Sequence, residues 1–104
     1  MPVLLVLSTA PDARTAGRLA SLLLRERLAA CVSFKEGFVS RYRWKGRIEK
    51  QKETLLIIKT TQNKFLKLKK VLSANHPYEV PEILAVPVTG GSKKYMKWLQ
   101  EETR

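Results

Sequence analysis

Phe38-Val39-Ser40-Arg41-Tyr42-Arg43-Trp44-Lys45-Gly46-Arg47-Ile48 is the stretch that decides how this 104-residue chain folds. Read as a strand, it sets Phe38, Ser40, Tyr42 and Trp44 on one face and Val39, Arg41 and Arg43 on the other. Lys45-Gly46 is then a two-residue turn, and Ile48 to Thr60 returns as a partner strand ending in Leu55-Leu56-Ile57-Ile58. The result is a β-hairpin longer than the usual strand of about five or six residues. Its tip is basic and aromatic, and it extends beyond the body of a small domain. Gly37, just before it, marks a bulge.

Working outward, Ala29-Ala30-Cys31-Val32 begins the first of these two strands. Val3 to Leu7 is a continuous apolar run, as expected of a central strand buried on both faces. Between them, Ser8-Thr9-Ala10-Pro11-Asp12 reads as a helix start: a hydroxyl to cap, proline in the first turn, an acid at the positive end of the dipole. That helix runs from about Pro11 to Arg27, with Ala13, Ala16, Ala20, Leu23 and Leu24 on its apolar side and the arginines mostly opposite. Downstream, Thr60-Thr61 offers caps for a second helix that buries Phe65, Leu68, Val71 and Leu72 and stops near Ala74-Asn75. Glu82 to Val88 forms a further strand, and Pro87, lacking an amide donor, puts it at a sheet edge. Gly90-Gly91 breaks the chain, and Ser92 caps a last helix with Tyr95, Met96, Trp98 and Leu99 inward.

The order is β-α-β-β-α-β with a C-terminal helix. It predicts one α+β domain over residues 1–104, a ferredoxin-like sandwich with helices on one face of an antiparallel sheet. The bare sheet face and the projecting aromatic hairpin both suggest self-association.

The net charge of +11 is unevenly spread. Residues 35–70 carry twelve Lys or Arg against three Glu, whereas residues 71–104 balance at four and four. Such a middle third is either a polyanion-binding module, for nucleic acid or anionic lipid, or a solvated lysine-rich surface. No apolar run approaches the ~20 residues that span a bilayer, and the first residues lack a basic leader and a cleavage site. One cysteine, Cys31, rules out an internal disulfide and suits a reducing compartment. A cytoplasmic protein without a membrane partner is expected.

The glycines match neither a dinucleotide fingerprint nor a phosphate-binding loop, and no Cys-x-x-Cys or His-x-x-x-His spacing is present for zinc. The other conspicuous stretch is His76-Pro77-Tyr78-Glu79-Val80-Pro81-Glu82, which holds the only histidine directly ahead of two φ-restricting prolines. It is either a ligand site or a rigid lead-in to the next strand. Cys31, after Ala-Ala in a strand, is either a small buried hydrophobe or a soft ligand. With His76 and the carboxylates of Glu53, Glu79 and Glu82 it suits copper or zinc. One thiol and one imidazole do not close a site, so carboxylates, water or a neighbouring chain must complete it.

Four segments in order and spacing, Arg27-Leu28-Ala29-Ala30-Cys31-Val32, Tyr42-Arg43-Trp44-Lys45-Gly46, Leu56-Ile57-Ile58-Lys59-Thr60 and His76 to Glu82, closely resemble the CutA divalent-cation tolerance family. The family usually has asparagine where this chain has Ser33. The resemblance implies a tight homotrimer, similar in architecture to PII signalling proteins, with a role in copper and other divalent-ion tolerance and no established catalytic reaction. It further implies that Cys31, Trp44, Lys59, His76, Tyr78 and Glu79 gather around clefts between subunits. Cys31, His76 and Glu79 are the expected metal ligands, and Trp44, Lys59 and Tyr78 shape the cleft.

Overall fold

The computed structural model describes residues 2–104. Its elements are β1 (Val3–Ala10), α1 (Ala13–Arg25), β2 (Cys31–Trp44), β3 (Arg47–Thr61), α2 (Gln62–Asn75), β4 (Leu84–Val88) and α3 (Lys93–Glu102). The strands form one antiparallel sheet in the order β2-β3-β1-β4. This is the expected ferredoxin-like topology, with Pro87 on the edge strand β4. Among the described residues no helix is long and apolar enough to cross a membrane.

Alternation along the central strands separates two faces. Val6, Leu56 and Ile58 point to one side, where they pack with Ala16, Leu19 and Leu23 of α1 and with Leu68 and Leu72 of α2. Phe65 and Val71 pack against the same cluster. Thr60 faces this layer too, and its buried hydroxyl donates to the Leu28 carbonyl at 2.7 Å. The opposite face carries Leu5, Leu7, Leu55, Ile57 and Lys59, continued by the exposed Leu84 and Val86 of β4. α3 reaches one end of that second face, where the Lys59 ammonium donates to the Tyr95 hydroxyl at 3.1 Å.

Local details differ from expectation in several places; β4 begins at Leu84 rather than Glu82, and Thr61 starts α2 without a side-chain cap bond. α1 is shorter at both ends, and Asp12 caps it rather than a hydroxyl, its carboxylate accepting from the Thr15 amide at 2.8 Å. Leu24, one position and ~100° round from Leu23, faces solvent, and Leu19 takes its place inside. On α3 only Leu99 is fully buried, while Tyr95 and Trp98 stay 42% and 43% exposed. At the end of α1, Arg27 adopts a left-handed φ of 56°. Its guanidinium donates to the Glu101 and Arg104 carbonyls, tying that corner to the end of α3.

The hairpin is as long as predicted, with strands of 14 and 15 residues. A strand of that length spans roughly 46 Å, close to the molecule's longest dimension of 44 Å against 25 and 23 Å. Lys45 and Gly46 both have positive φ, 49° and 78°, as a tight hairpin turn between Trp44 and Arg47 requires. The ladder slips between Lys35 and Phe38, where Gly37 adopts φ 76°, so the expected bulge is present.

Replacing Thr60 by the isosteric valine strands the Leu28 carbonyl in the core. We expect a loss of about 1–3 kcal/mol in a urea unfolding titration, with the secondary structure unchanged by circular dichroism.

Candidate functional site

The prolines at 77 and 81 hold the segment between α2 and β4 away from helix and ladder geometry, and it folds over the end of the second sheet face. His76 is buried there and is held at both ring nitrogens. The Tyr78 amide donates to Nδ1 at 3.1 Å, which fixes the tautomer, so that Nε2–H donates to the Thr9 carbonyl at 2.8 Å. Two residues on, the Tyr78 ring tilts against the imidazole at 4.8 Å, and its hydroxyl donates to Glu53 Oε2 at 2.7 Å. Burial, reinforced by this bond to the Glu53 carboxylate, pushes the Tyr78 phenol well above the ordinary tyrosine range.

Between this loop and the hairpin lies an open cleft of roughly 710 Å3. Phe38, Tyr42, Trp44 and Tyr78 give it aromatic walls, and Glu53, Glu79 and Glu82 line it with carboxylates. Tyr42 is braced by a 2.7 Å hydrogen bond from its hydroxyl to the Gln51 side chain on the neighbouring strand. In a chain of net charge +11, three of the nine acidic side chains meet here.

The remaining expected residues lie elsewhere. Cys31 pairs with Lys59 across the β2–β3 ladder, and its thiol is 3.9 Å from the Ser33 hydroxyl. It is half-buried rather than a core hydrophobe. The hydrogen bond that the Lys59 ammonium donates to the Tyr95 hydroxyl lifts it above the usual lysine range. Lys59 lies six positions along β3 from Glu53, about 20 Å of extended chain. Trp44, Tyr78 and Glu79 therefore share one cleft with His76 behind it, while Cys31 and Lys59 mark the other end of the same face. No three ligand-type side chains converge among the described residues of the single chain. Of the contributors, the Glu53–Tyr78 and Tyr42–Gln51 bonds and the Tyr95 contact were not legible beforehand. Glu53 itself stood among the candidate carboxylates; its bond to Tyr78 is what the residues alone did not show.

Tyr78→Phe leaves the buried Glu53 carboxylate without its donor, and we expect a loss of roughly 1–3 kcal/mol at neutral pH. The phenol is raised in the folded state, so its contribution is complete below the unfolded tyrosine value near ~10 and fades as pH rises above it. Urea titrations at neutral and alkaline pH will show the gap between wild type and variant narrowing on the alkaline side.

The CutA1 divalent ion tolerance protein family matches residues 4–102. The divalent-cation tolerance protein CutA of Thermus thermophilus is 47% identical over 98 residues, 94% of this chain and 95% of that one. A solved structure of the divalent cation tolerance protein (Cut A1) from Thermus thermophilus superposes with a TM-score of 0.95 at 45% identity, covering 98% and 99% of the two chains. The periplasmic divalent cation tolerance protein CutA of Archaeoglobus fulgidus superposes equally well, TM-score 0.95 at 34% identity, over 98% of this chain and 99% of that one. The chloroplastic protein CutA of Arabidopsis thaliana is 43% identical over the whole chain, which spans 57% of its length. The match extends over nearly every residue from the first strand to the last helix, and the chain belongs to the CutA1 divalent ion tolerance family.

Proposed function

We propose that this protein acts in divalent-cation tolerance as a homotrimer that takes up a copper-type ion at clefts between subunits. The supporting observation is the division of the site. Cys31 and Lys59 lie at one end of the open sheet face, and Glu79, Tyr78 and His76 at the other. In a cyclic trimer each interface is heterologous, joining one patch of a subunit to a different patch of the next. Such a ring sets the two ends side by side. The apolar face between them, with Leu84, Val86 and Trp98 exposed, supplies surface to bury.

Cys31 and Glu79 both reach the surface and are the first ligands in this reading; a thiolate favours copper over harder ions. His76 joins them only by releasing the Tyr78 amide or the Thr9 carbonyl. Trp44, Lys59 and Tyr78 shape the cleft walls. The cleft carboxylates lower locally the barrier that a net charge of +11 raises against a cation. No catalytic step belongs to the proposal. Action in the cytoplasm is part of it, supported by the lone free thiol, and cell fractionation with the membrane and periplasmic fractions as comparators checks it.

Sedimentation equilibrium is expected to give three times the 11.9 kDa chain mass. Leu84→Lys, which places a charge in the apolar face, shifts the population to the single-chain mass. Calorimetric titration of metal-stripped protein with Cu(II) is expected to saturate at a fixed ratio per trimer. A Cys31→Ala, His76→Ala double variant weakens the binding roughly tenfold or more. Unchanged copper binding in that variant would remove both residues from the site.

A further inference from the structure

The function proposed above uses only one side of the projecting hairpin. Register assigns the other. Phe38 pairs with Glu53, Ser40 with Gln51, Tyr42 with Glu49 and Trp44 with Arg47, and these residues share the cleft side. On the reverse side Val39 pairs with Lys52, Arg41 with Lys50 and Arg43 with Ile48. All six of these are exposed. The carboxylates of Glu49 and Glu53 fall on the cleft side, so Arg41, Arg43, Lys50 and Lys52 form a ribbon of four cations with no acid among them. The one ion pair among the described residues, Lys97–Glu101 at 3.9 Å, lies far along the chain on α3. Arg41 stands directly across from Lys50, a like-charge pairing that weakens a ladder. A solvated surface gains nothing from placing two cations opposite each other when Glu49 is one position away.

We propose that this cationic side of the hairpin, Arg41, Arg43, Lys50 and Lys52, docks on the phosphate backbone of duplex DNA without reading its sequence. The shape favours this polyanion over others. A two-stranded ribbon fits the B-form major groove, about 12 Å wide, where its walls meet phosphates on both sides. The deep, narrow major groove of double-stranded RNA does not admit it. A flat lipid surface meets the tip of a projecting ribbon before its length. The aromatic rings that stack on single-stranded bases, Tyr42 and Trp44, are on the opposite side, in the cleft. Val39 and Arg41 also border the cleft at the strand, whereas Arg43, Lys50 and Lys52 stand clear of it.

The test measures binding of the full chain to a fluorescent 20-base-pair duplex of arbitrary sequence by anisotropy across a salt series. Four phosphate contacts predict a log–log salt slope of about −3.6. The Arg41→Gln, Arg43→Gln, Lys50→Gln, Lys52→Gln variant is expected to bind about tenfold or more weakly at low salt, with a nearly flat slope. The comparison variant, Lys67→Gln, Lys70→Gln, Lys93→Gln, Lys94→Gln, removes the same charge from exposed positions on α2 and α3 and keeps wild-type binding. Equal losses in the two variants would reduce the effect to net charge and overturn the proposal. So would absence of duplex binding at low salt, or tighter binding to double-stranded RNA or to phosphatidylserine vesicles than to DNA.

Discussion

The structure depends on the unequal pairing of β3. Its inner half, Thr54–Thr61, has strands on both sides for most of its length, and its alternate side chains meet the helix layer. Its outer half, from Arg47 to Glu53, has only β2 beside it. Ladder hydrogen bonds do not need a core beneath them, so the two strands continue together past the point where helices cover them. The core, built on Leu56 and Ile58, anchors this extension. The cleft is the angle between the extension and the loop from His76 to Glu82, and the reverse of the ribbon is exposed because no helix reaches it.

Much of this was legible in the residues. The turn at Lys45-Gly46, the bulge at Gly37 and the edge position of Pro87 each follow from backbone chemistry that few residues satisfy, and all three are present. The apolar stripes of α1 and α2 were recovered except where neighbouring leucines competed for one place, as Leu23 and Leu24 do. The identity of the α1 cap was ambiguous because Ser8, Thr9 and Asp12 all offer an oxygen; β1 runs through Ala10, so Ser8 and Thr9 stay in the strand and Asp12 caps the helix. The site was less legible. His76, Tyr78 and Glu79 drew notice by composition, but the partners of the first two are Thr9 and Glu53, 67 and 25 residues away. Which residue of β1 or β3 lies under the loop is a matter of register, and register comes from the whole sheet. Cys31 and His76 attract attention together because each is the only one of its kind, yet sheet geometry sets them at opposite ends of a face.

Charge is organised on the same plan. The chain is strongly cationic, and its hairpin segregates the excess, with Glu49 and Glu53 on one side and four unpaired cations on the other. Apart from Arg47, which shares the cleft side, the acids and the uncompensated cations are thereby held on opposite faces of a single ribbon. A cation near the cleft and an anion near the reverse side are each attracted by nearby groups, although the net charge favours only the second.

The bulge at Gly37 gives this ribbon something like a reading frame. Upstream of it, even-numbered residues such as Phe34 face the helices, beside Leu56; downstream, even-numbered residues such as Phe38 face the cleft, beside Glu53. The extra residue is absorbed at the bulge, and its removal would leave a regular ladder with every later side chain on its present face. One residue inserted between Phe38 and Trp44 has no such outlet. It would turn the rest of the strand over, sending arginines into the cleft and aromatic rings to the outside. Length variation in this arm is therefore tolerable at Gly37 and disruptive a few residues later, although both positions lie in one continuous, exposed strand.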